Sequence, residues 1–512
     1  MRSLGVYMRK SGILLPIFSL PSNYGVGSLG KEAYDFVDFL VKSGQSVWQV
    51  LPVTSTSKKE YYSPYKTNGA FSGNYDLIDI DMLVEEGLLS LDLINSIDMS
   101  KYQTDPRYVD YDKTRNLKQE ILYKAYENFI SGKFYLEEEY ADFCNENIFW
   151  LDEYCKYMSL RKINNDLPYW EWDKISDFDE LSEDKNVDIM KDYKNLFDYH
   201  KFLQYKFYSQ WLKLKAYANK NDIEIFGDIP IYISQDSSDF YFHKEMFLID
   251  KNGEPSSVSG VPPDEFSSEG QYWGNPLYDW KYLSADRYDW WMKRIKKSFD
   301  IYDILRIDHF RAFESFYSID KATKDAKSGE WIKGPGKDFF DILSKEVPNA
   351  NIIAEDLGII TDEVRDLLDY TGYPGMKVIQ FGFNSDSKNL NLPHMYYKNT
   401  VAYTGTHDNK TLVEWLETTA NTAQMEYAKK YLRLETYDKY TEALIRSVLG
   451  SCSDLSIVPI QDWLDFGAWA RINTPSTVGI NWKFRLLQGE LDEKLVEYIS
   501  DTSGIYGRYI ER

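Results

Sequence analysis

Cysteine is scarce: 512 residues hold three, Cys144, Cys155 and Cys452, in no C-x-x-C spacing. That excludes a disulfide framework and a cysteine-built zinc site, and an odd, sparse count fits a reducing compartment. Histidine is nearly as rare, with five residues: His200, His243, His309, His394 and His407. They form no H-x-H pair and no H-E-x-x-H, so a metal-dependent hydrolase lacks its ligand signature and no metal site is expected. Positive charge is in deficit, 59 Lys and Arg against 81 Asp and Glu, for a formal net charge of −22. Nucleic acid is a poor partner for such a chain, because phosphate binding needs clustered Lys and Arg. No apolar run approaches the roughly 18–20 residues that span a bilayer, so no membrane association is expected. Arg2, Arg9 and Lys10 precede an apolar stretch, Ile13 to Leu20, but Pro16 interrupts it and no A-x-A-like site follows. A signal peptide is therefore not expected, and the chain reads as soluble and cytoplasmic. There is no G-x-x-x-x-G-K-[ST] phosphate cradle and no G-x-S-x-G elbow, and Gly334-Pro335-Gly336 is too short to cradle a phosphate. No nucleotide cofactor and no serine nucleophile are implied.

What is present is hydrophobic and aromatic substance, 43% and 16% of residues. That is enough for a large core, and a large aromatic core is the plain reading of the rings. Eight short apolar runs end in polar or carboxylate-bearing turns. They are Ser46–Val53, Tyr75–Asp81, Ile223–Asp228, Asp303–Asp308, Asn351–Asp356, Met376–Phe383, Asn399–Thr404 and Ser456–Asp462. Amphipathic helical patterns lie between several of them, as at Lys31–Ser43, Asp286–Phe299 and Thr361–Asp369. Eight strand-then-helix units predict an α/β fold, a (β/α)8 TIM barrel spanning residues 1–512 as one catalytic domain. The spacing is uneven. Residues 82–222 exceed any ordinary crossover and read as a helical insertion, whose acidic segment Asp173–Asp192 is a solvated face. Residues 229–280, rich in Gly, Pro and Ser with several aromatics, read as a mobile loop insertion covering a site.

In a parallel barrel the reactive groups sit at the C-terminal strand ends. Four runs present a carboxylate there: Asp228, Asp308, Glu355 and Asp408. Strand alternation places Arg306 and Asp308 on one face, and Glu355 opposite to Ala354 and Asp356. Arg306 is expected to keep Asp308 ionised, and an apolar neighbourhood to keep Glu355 protonated to higher pH. Two carboxyls pushed apart in pKa are what glycosidic bond exchange requires. Singly, each such residue also suits a strand-end turn or an N-cap; the convergence of four favours function.

At these residues the chain resembles the 4-α-glucanotransferases of the amylomaltase (disproportionating enzyme) family, relatives of the α-amylases. The resemblance begins with Ser11-Gly12-Ile13-Leu14-Leu15-Pro16, Tyr24-Gly25-Val26-Gly27 and Ser63-Pro64-Tyr65. It continues through Gly227-Asp228-Ile229-Pro230-Ile231-Tyr232, Gly260-Val261-Pro262-Pro263-Asp264 and Gln271-Tyr272-Trp273-Gly274-Asn275-Pro276. Arg306-Ile307-Asp308-His309-Phe310-Arg311, Ala354-Glu355-Asp356-Leu357-Gly358 and Gly405-Thr406-His407-Asp408-Asn409 carry the acids, and Asn473-Thr474-Pro475 and Asn481-Trp482 close the set.

The resemblance implies an amylase-type barrel with inserted subdomains and no C-terminal β-sandwich domain. It implies transfer of α-1,4-glucan segments from a donor to glucose or another glucan, through a covalent glucosyl-enzyme and without a cofactor. The implied partners are α-1,4-glucans and maltooligosaccharides. Asp308 matches the nucleophile, Glu355 the general acid/base and Asp408 the acid supporting the distorted sugar. Arg306, Asp228 and His407 match residues of the same subsite, and Tyr65 a groove-lining segment. Asp264, Phe266, Gln271 and Trp273 match the loop that closes over substrate. Three positions depart from the pattern: Lys410 where an acid is common, Asn384 where Asp is usual and Ser476 in place of a Gly. They bear on acceptor preference and pH profile. A hydrolase on the same acids, and a glucan-binding protein without activity, are the competing readings; the second conflicts with the presence of all three acids.

Overall fold

In the computed structural model of the chain, residues 9–102, 105–175, 187–263, 269–436 and 439–510 are described. Among them are twelve strands: β1 (Lys10–Leu14), β2 (Val47–Gln49), β3 (Glu224–Ile229), β4 (Ser257–Val261), β5 (Gln271–Pro276) and β6 (Ile304–Ile307), then β7 (Ser315–Asp320), β8 (Glu330–Lys333), β9 (Ile352–Ala354), β10 (Gly375–Val378), β11 (Thr400–Tyr403) and β12 (Leu455–Pro459). Eight of them pair in parallel in the order β10-β11-β12-β1-β2-β3-β6-β9. The seam between β9 and β10 is bridged where the Ala354 N–H donates to the Pro374 carbonyl at 2.9 Å. The chain thus forms the (β/α)8 barrel that the strand-and-helix alternation predicts.

Apolar residues buried on both faces make these strands, as helices cover a parallel barrel outside and side chains fill it inside. The interior is a distinct cluster that includes Leu14, Val47, Phe226, Ile304, Ile353, Val378, Val401, Tyr403 and Ile457. Counting two residues onward from three of these reaches Asp228, Arg306 and Glu355. Because side chains alternate along a strand, the residues that plug the barrel floor also fix which side chains face its open end.

Seven of the eight predicted runs contain barrel strands; Tyr75–Asp81 does not. Its residues form a 3-10 turn, Tyr75–Leu77, and the start of a helix, Ile80–Glu85. The reason is capping. Asn74 accepts from the Asp76 N–H and Asp79 from the Met82 N–H, so the alternation of polar residues serves helix starts rather than a pleat. The missing strand is β1, whose Lys-Ser-Gly opening hides it from a hydrophobicity reading. Gly12 there meets β2 so closely that an added Cβ would lie 2.4 Å from the Val47 carbonyl oxygen.

Between β2 and β3 the long helices are Tyr111–Ser131, Ile148–Ile163 and Val187–Lys220. Their interfaces absorb much of the aromatic excess: Phe202 packs on Tyr126 and Phe129 with ring centres 5.7 and 5.1 Å apart. Residues 176–186 of the acidic segment lie outside the described residues. Within 229–280, β4 and β5 belong to a four-stranded antiparallel sheet, β5-β4-β7-β8, where composition predicts a loop. Short alternating strands interrupted by Gly and Pro carry little periodic signal, which is why sequence reading misses them. Among the described residues, no helix is long and apolar enough to cross a membrane.

The β1–β2 contact yields a stability prediction. Gly12→Ala is expected to cost on the order of 1–3 kcal/mol, since the nearest atom the added methyl meets is the backbone oxygen of Val47, which cannot turn aside. A thermal melt checks it; an unchanged midpoint would contradict the packing described.

Candidate active site

The open end of the barrel holds a cavity of about 530 Å³. Arg306, Asp308, Glu355, His407 and Asp408 line it, with Tyr65, Gln271 and Trp273 on its walls. Asp264 and Phe266 lie outside the described residues.

Arg306 organises the floor. Asp228 and Arg306 are register partners on β3 and β6, which sets their side chains side by side. Arg306 Nη1 donates to Asp228 Oδ2 at 2.6 Å, and Nη2 donates to Asp308 Oδ1 at 2.8 Å. Arg306 is only 4% exposed, so its charge is answered by these two carboxylates rather than by water. Tyr65 Oη also donates to Asp228 Oδ2, at 2.6 Å. Asp228 is thereby a support for Arg306 and Tyr65.

Asp308 behaves differently from the expectation. Burial pushes its carboxyl up to about 6, and the charges of Asp228 and Asp408 add to the rise while Arg306 and His407 oppose it. Arg306 alone does not hold this acid low, because desolvation is the larger effect. Glu355 follows the expectation: burial pushes it up to about 8, against the pull of Arg306. Its oxygens are oriented by backbone, with the His309 N–H donating to Oε2 and the Leu357 N–H to Oε1, each at 2.8 Å. The His309 N–H is available because this residue turns the chain at φ 52° directly after Asp308.

Asp408 lies below Asp308 and Glu355. Burial raises it, but His407, Asn473 and Arg306 together outweigh that and bring it to about 2. Asn473 Nδ2 donates to Asp408 Oδ1 at 2.5 Å, and His407 Nε2 lies 3.3 Å from Oδ2. The loop carrying both is stapled twice. Gln380 Nε2 donates to the carbonyls of Thr404 and Lys410 at 3.0 and 2.9 Å. Asp462 accepts from Thr404 Oγ1 at 2.6 Å and from the Leu412 N–H at 2.8 Å.

Rings form the walls. Tyr65 stacks on His407, with centres 5.1 Å apart, and Trp482 packs beside both. Across the cavity, Trp273 meets His309 edge-on at 4.9 Å, and its Nε1 donates to Gln271 Oε1 at 3.2 Å. Lys66 ties the Tyr65 segment to β5 by donating to the Trp273 carbonyl at 2.6 Å and Asn275 Oδ1 at 2.8 Å. Flat apolar rings beside carboxylates and amides suit a saccharide, which offers C–H faces and hydroxyls together.

A profile of the 4-alpha-glucanotransferase family matches residues 15–490. The chain belongs to that family. A 4-alpha-glucanotransferase of Clostridium butyricum is 44% identical over 494 residues, 96% of this chain and 99% of that protein. One from Streptococcus pneumoniae serotype 4 is 42% identical over 98% of both chains. Among solved structures, the amylomaltase of Streptococcus agalactiae in complex with acarbose is 37% identical and superposes with a TM-score of 0.91, covering 98% of this chain and all of that one.

Of the predicted site residues, Asp228, Arg306, Asp308, Glu355, Asp408, His407, Tyr65, Gln271 and Trp273 fall on or directly beneath this cavity. Residue reading assigns no role to Asn473, to the His309 N–H or to the Gln380 and Asp462 staples. Asn473 and Trp482 stand in segments that carry the family resemblance, but neither residue type at that spacing announces a contact with Asp408 or Tyr65. The departures are placed as follows: Lys410 Nζ donates to Thr418 Oγ1 at 3.0 Å, Asn384 Oδ1 accepts from Asn389 at 2.9 Å, and Ser476 lines the cavity at φ 62°, in the left-handed region that favours glycine.

The ordering of Asp308 below Glu355 sets a pH dependence. For a reaction in which an ionised Asp308 attacks and a protonated Glu355 gives up its proton, kcat/KM is expected to rise through about pH 6 and fall through about pH 8. A rate profile on a maltooligosaccharide checks it; a rate still climbing above pH 9 (about one unit past the falling limb) would contradict a protonated Glu355.

Proposed function

We propose that Asp308 is the nucleophile and Glu355 the general acid/base of a retaining α-1,4-glucan transfer, with Asp408 supporting the distorted sugar. The observation that carries this reading is the pairing of an Arg306-bound Asp308 with a protonated, backbone-oriented Glu355 in one cavity. The Asp308 carboxylate attacks the anomeric carbon. The C–O bond to the leaving glucan breaks as Glu355 gives its proton to that oxygen. Glu355, now a carboxylate, takes the proton from the 4-hydroxyl of an incoming glucan, whose oxygen displaces Asp308 and restores the α-linkage. Asp408, held ionised by His407 and Asn473, stabilises positive charge developing on the sugar ring. Arg306 answers the charge of Asp308 in the resting state, and Tyr65 offers a ring face to the sugar bound there.

The glucan class is supported by family membership and by the acarbose complex of the Streptococcus agalactiae relative. We read residues 82–222 as a helical insertion and 229–280 as a cover over the cavity, with Asp264 and Phe266 part of that cover. Tyr272 and Trp273, which line the cavity, support the second reading. The free thiols Cys144, Cys155 and Cys452 support a reducing, cytoplasmic setting. Of the departures, Ser476 lines the cavity and is the position at which acceptor preference is read.

Hydrolysis on the same acids differs only in the acceptor. A covered intermediate disfavours water, whereas a sugar brings its own binding energy. Maltotriose incubated with the protein is therefore expected to give glucose together with chains longer than the starting trimer, at a nearly constant total of reducing ends. Trp273→Ala is expected to raise that total, because it opens the cover and leaves the acids in place. A steady rise in reducing ends with no product longer than maltotriose, from the unaltered protein, would decide for hydrolysis.

A further inference from the structure

One exposed ring on the cavity wall has no part in the chemistry above. Trp331 lies on β8, in the antiparallel sheet beside the barrel, and is 39% exposed although it lines the cavity. Its other surroundings are rigid. The Arg311 guanidinium lies over its ring, 3.6 Å from the centre, and the ring of its cross-strand partner Tyr317 is 5.0 Å away. Arg311 is itself buried and fixed, donating to the Ile359 carbonyl and, at 3.2 Å, to Ser315 Oγ. A stacked guanidinium behind a tryptophan holds the ring in one orientation and leaves its exposed surface to the cavity.

The flank matters. Ile359 is four residues beyond Glu355 on the same loop, so Arg311 and Trp331 are anchored to the Glu355 side of the cavity. The opposite wall is built by Tyr65, His407, Asp408 and Asn473. A general acid stands beside the oxygen it protonates, and the sugar beyond that oxygen is the leaving fragment. The incoming acceptor occupies the same place, because deprotonation of its 4-hydroxyl is the reverse of that step.

We propose that Trp331, braced by Arg311, is a stacking platform for an acceptor glucan several sugars beyond the cleavage point, and so sets the acceptor length the enzyme prefers. This rests on the assignment of Glu355 as general acid/base. A pre-oriented ring gains from stacking without ordering cost, and only an acceptor long enough to reach it receives that gain. Glucose does not.

The test uses α-glucosyl fluoride as donor, since fluoride fills no sugar site beyond the cleavage point. Transfer to glucose and to maltopentaose is compared for wild type, Trp331→Ala and Trp331→Phe, with thermal melts of each. In Trp331→Ala the KM for maltopentaose is expected to rise about ten-fold, equivalent to about 1.4 kcal/mol, with kcat and the glucose reaction within two-fold of wild type. Trp331→Phe, which keeps a ring, is expected to recover most of the loss. An equal change with both acceptors, or none with either, would overturn the platform. A wild-type protein that releases fluoride but transfers to neither acceptor would count against the transferase reading instead, and should Trp331→Ala fail to fold, Trp331→Leu, which keeps bulk without a ring, takes its place with the same expected loss.

Discussion

The active end of this barrel depends on one buried cation. Arg306 is shared between Asp228 and Asp308, and four carboxyls, Asp228, Asp308, Glu355 and Asp408, crowd around that single guanidinium. One guanidinium cannot hold four clustered carboxyls ionised at once. The site resolves the excess unequally. Asp228 takes a direct bond from Arg306 and a hydroxyl from Tyr65, and Asp408 takes Asn473 and His407. Asp308 takes the second arm of Arg306 and stays ionised near neutrality. Among the described residues Glu355 receives hydrogen bonds only from backbone N–H groups, and it is the one left to keep its proton. The difference between Asp308 and Glu355 is thus an outcome of burial first and of neighbouring charges second, not a property of either residue alone.

Geometry reaches this arrangement through strand alternation. Phe226, Ile304 and Ile353 seal the barrel floor, and Asp228, Arg306 and Glu355 follow each of them two residues later. A one-residue slip of β3, β6 or β9 would bury the charged groups against the outer helices and open the floor. The register of Asp228 with Arg306 therefore serves packing and chemistry at once. The β11 loop lacks such strand support at His407 and Asp408, and the Gln380 and Asp462 staples supply it.

Much of this is legible in the chain. Carboxylates ending apolar runs mark Asp228, Asp308 and Glu355, because strand pattern and chemistry coincide at the same residues. Where a strand lacks apolar substance, as Lys10-Ser11-Gly12 does, the pattern is silent; where capping imitates alternation, as at Asn74 and Asp79, it misleads. The sheet of β4, β5, β7 and β8 is invisible for a related reason: Gly260, Gly274 and Pro276 interrupt the pattern in β4 and β5, and β4 also pairs with the distant β7, Ser257 opposite Asp320. The sign of the Asp308 shift is likewise beyond a local reading. Arg306 two residues away argues for a low value, but burial and the remote charges of Asp228 and Asp408 outweigh it, and these depend on the closed barrel.

The central claim is that the sugar is carried on Asp308 after Glu355 has acted. A fluorosugar donor, a glucosyl fluoride with a second fluorine on the ring, slows breakdown of the intermediate more than its formation and lets it accumulate. After digestion, mass spectrometry is predicted to find one added fluoroglucosyl group on the peptide containing Asp308, absent from Asp308→Asn. Label on a peptide containing Glu355 or Asp408 instead, or turnover of the donor with no labelled peptide, would contradict the account.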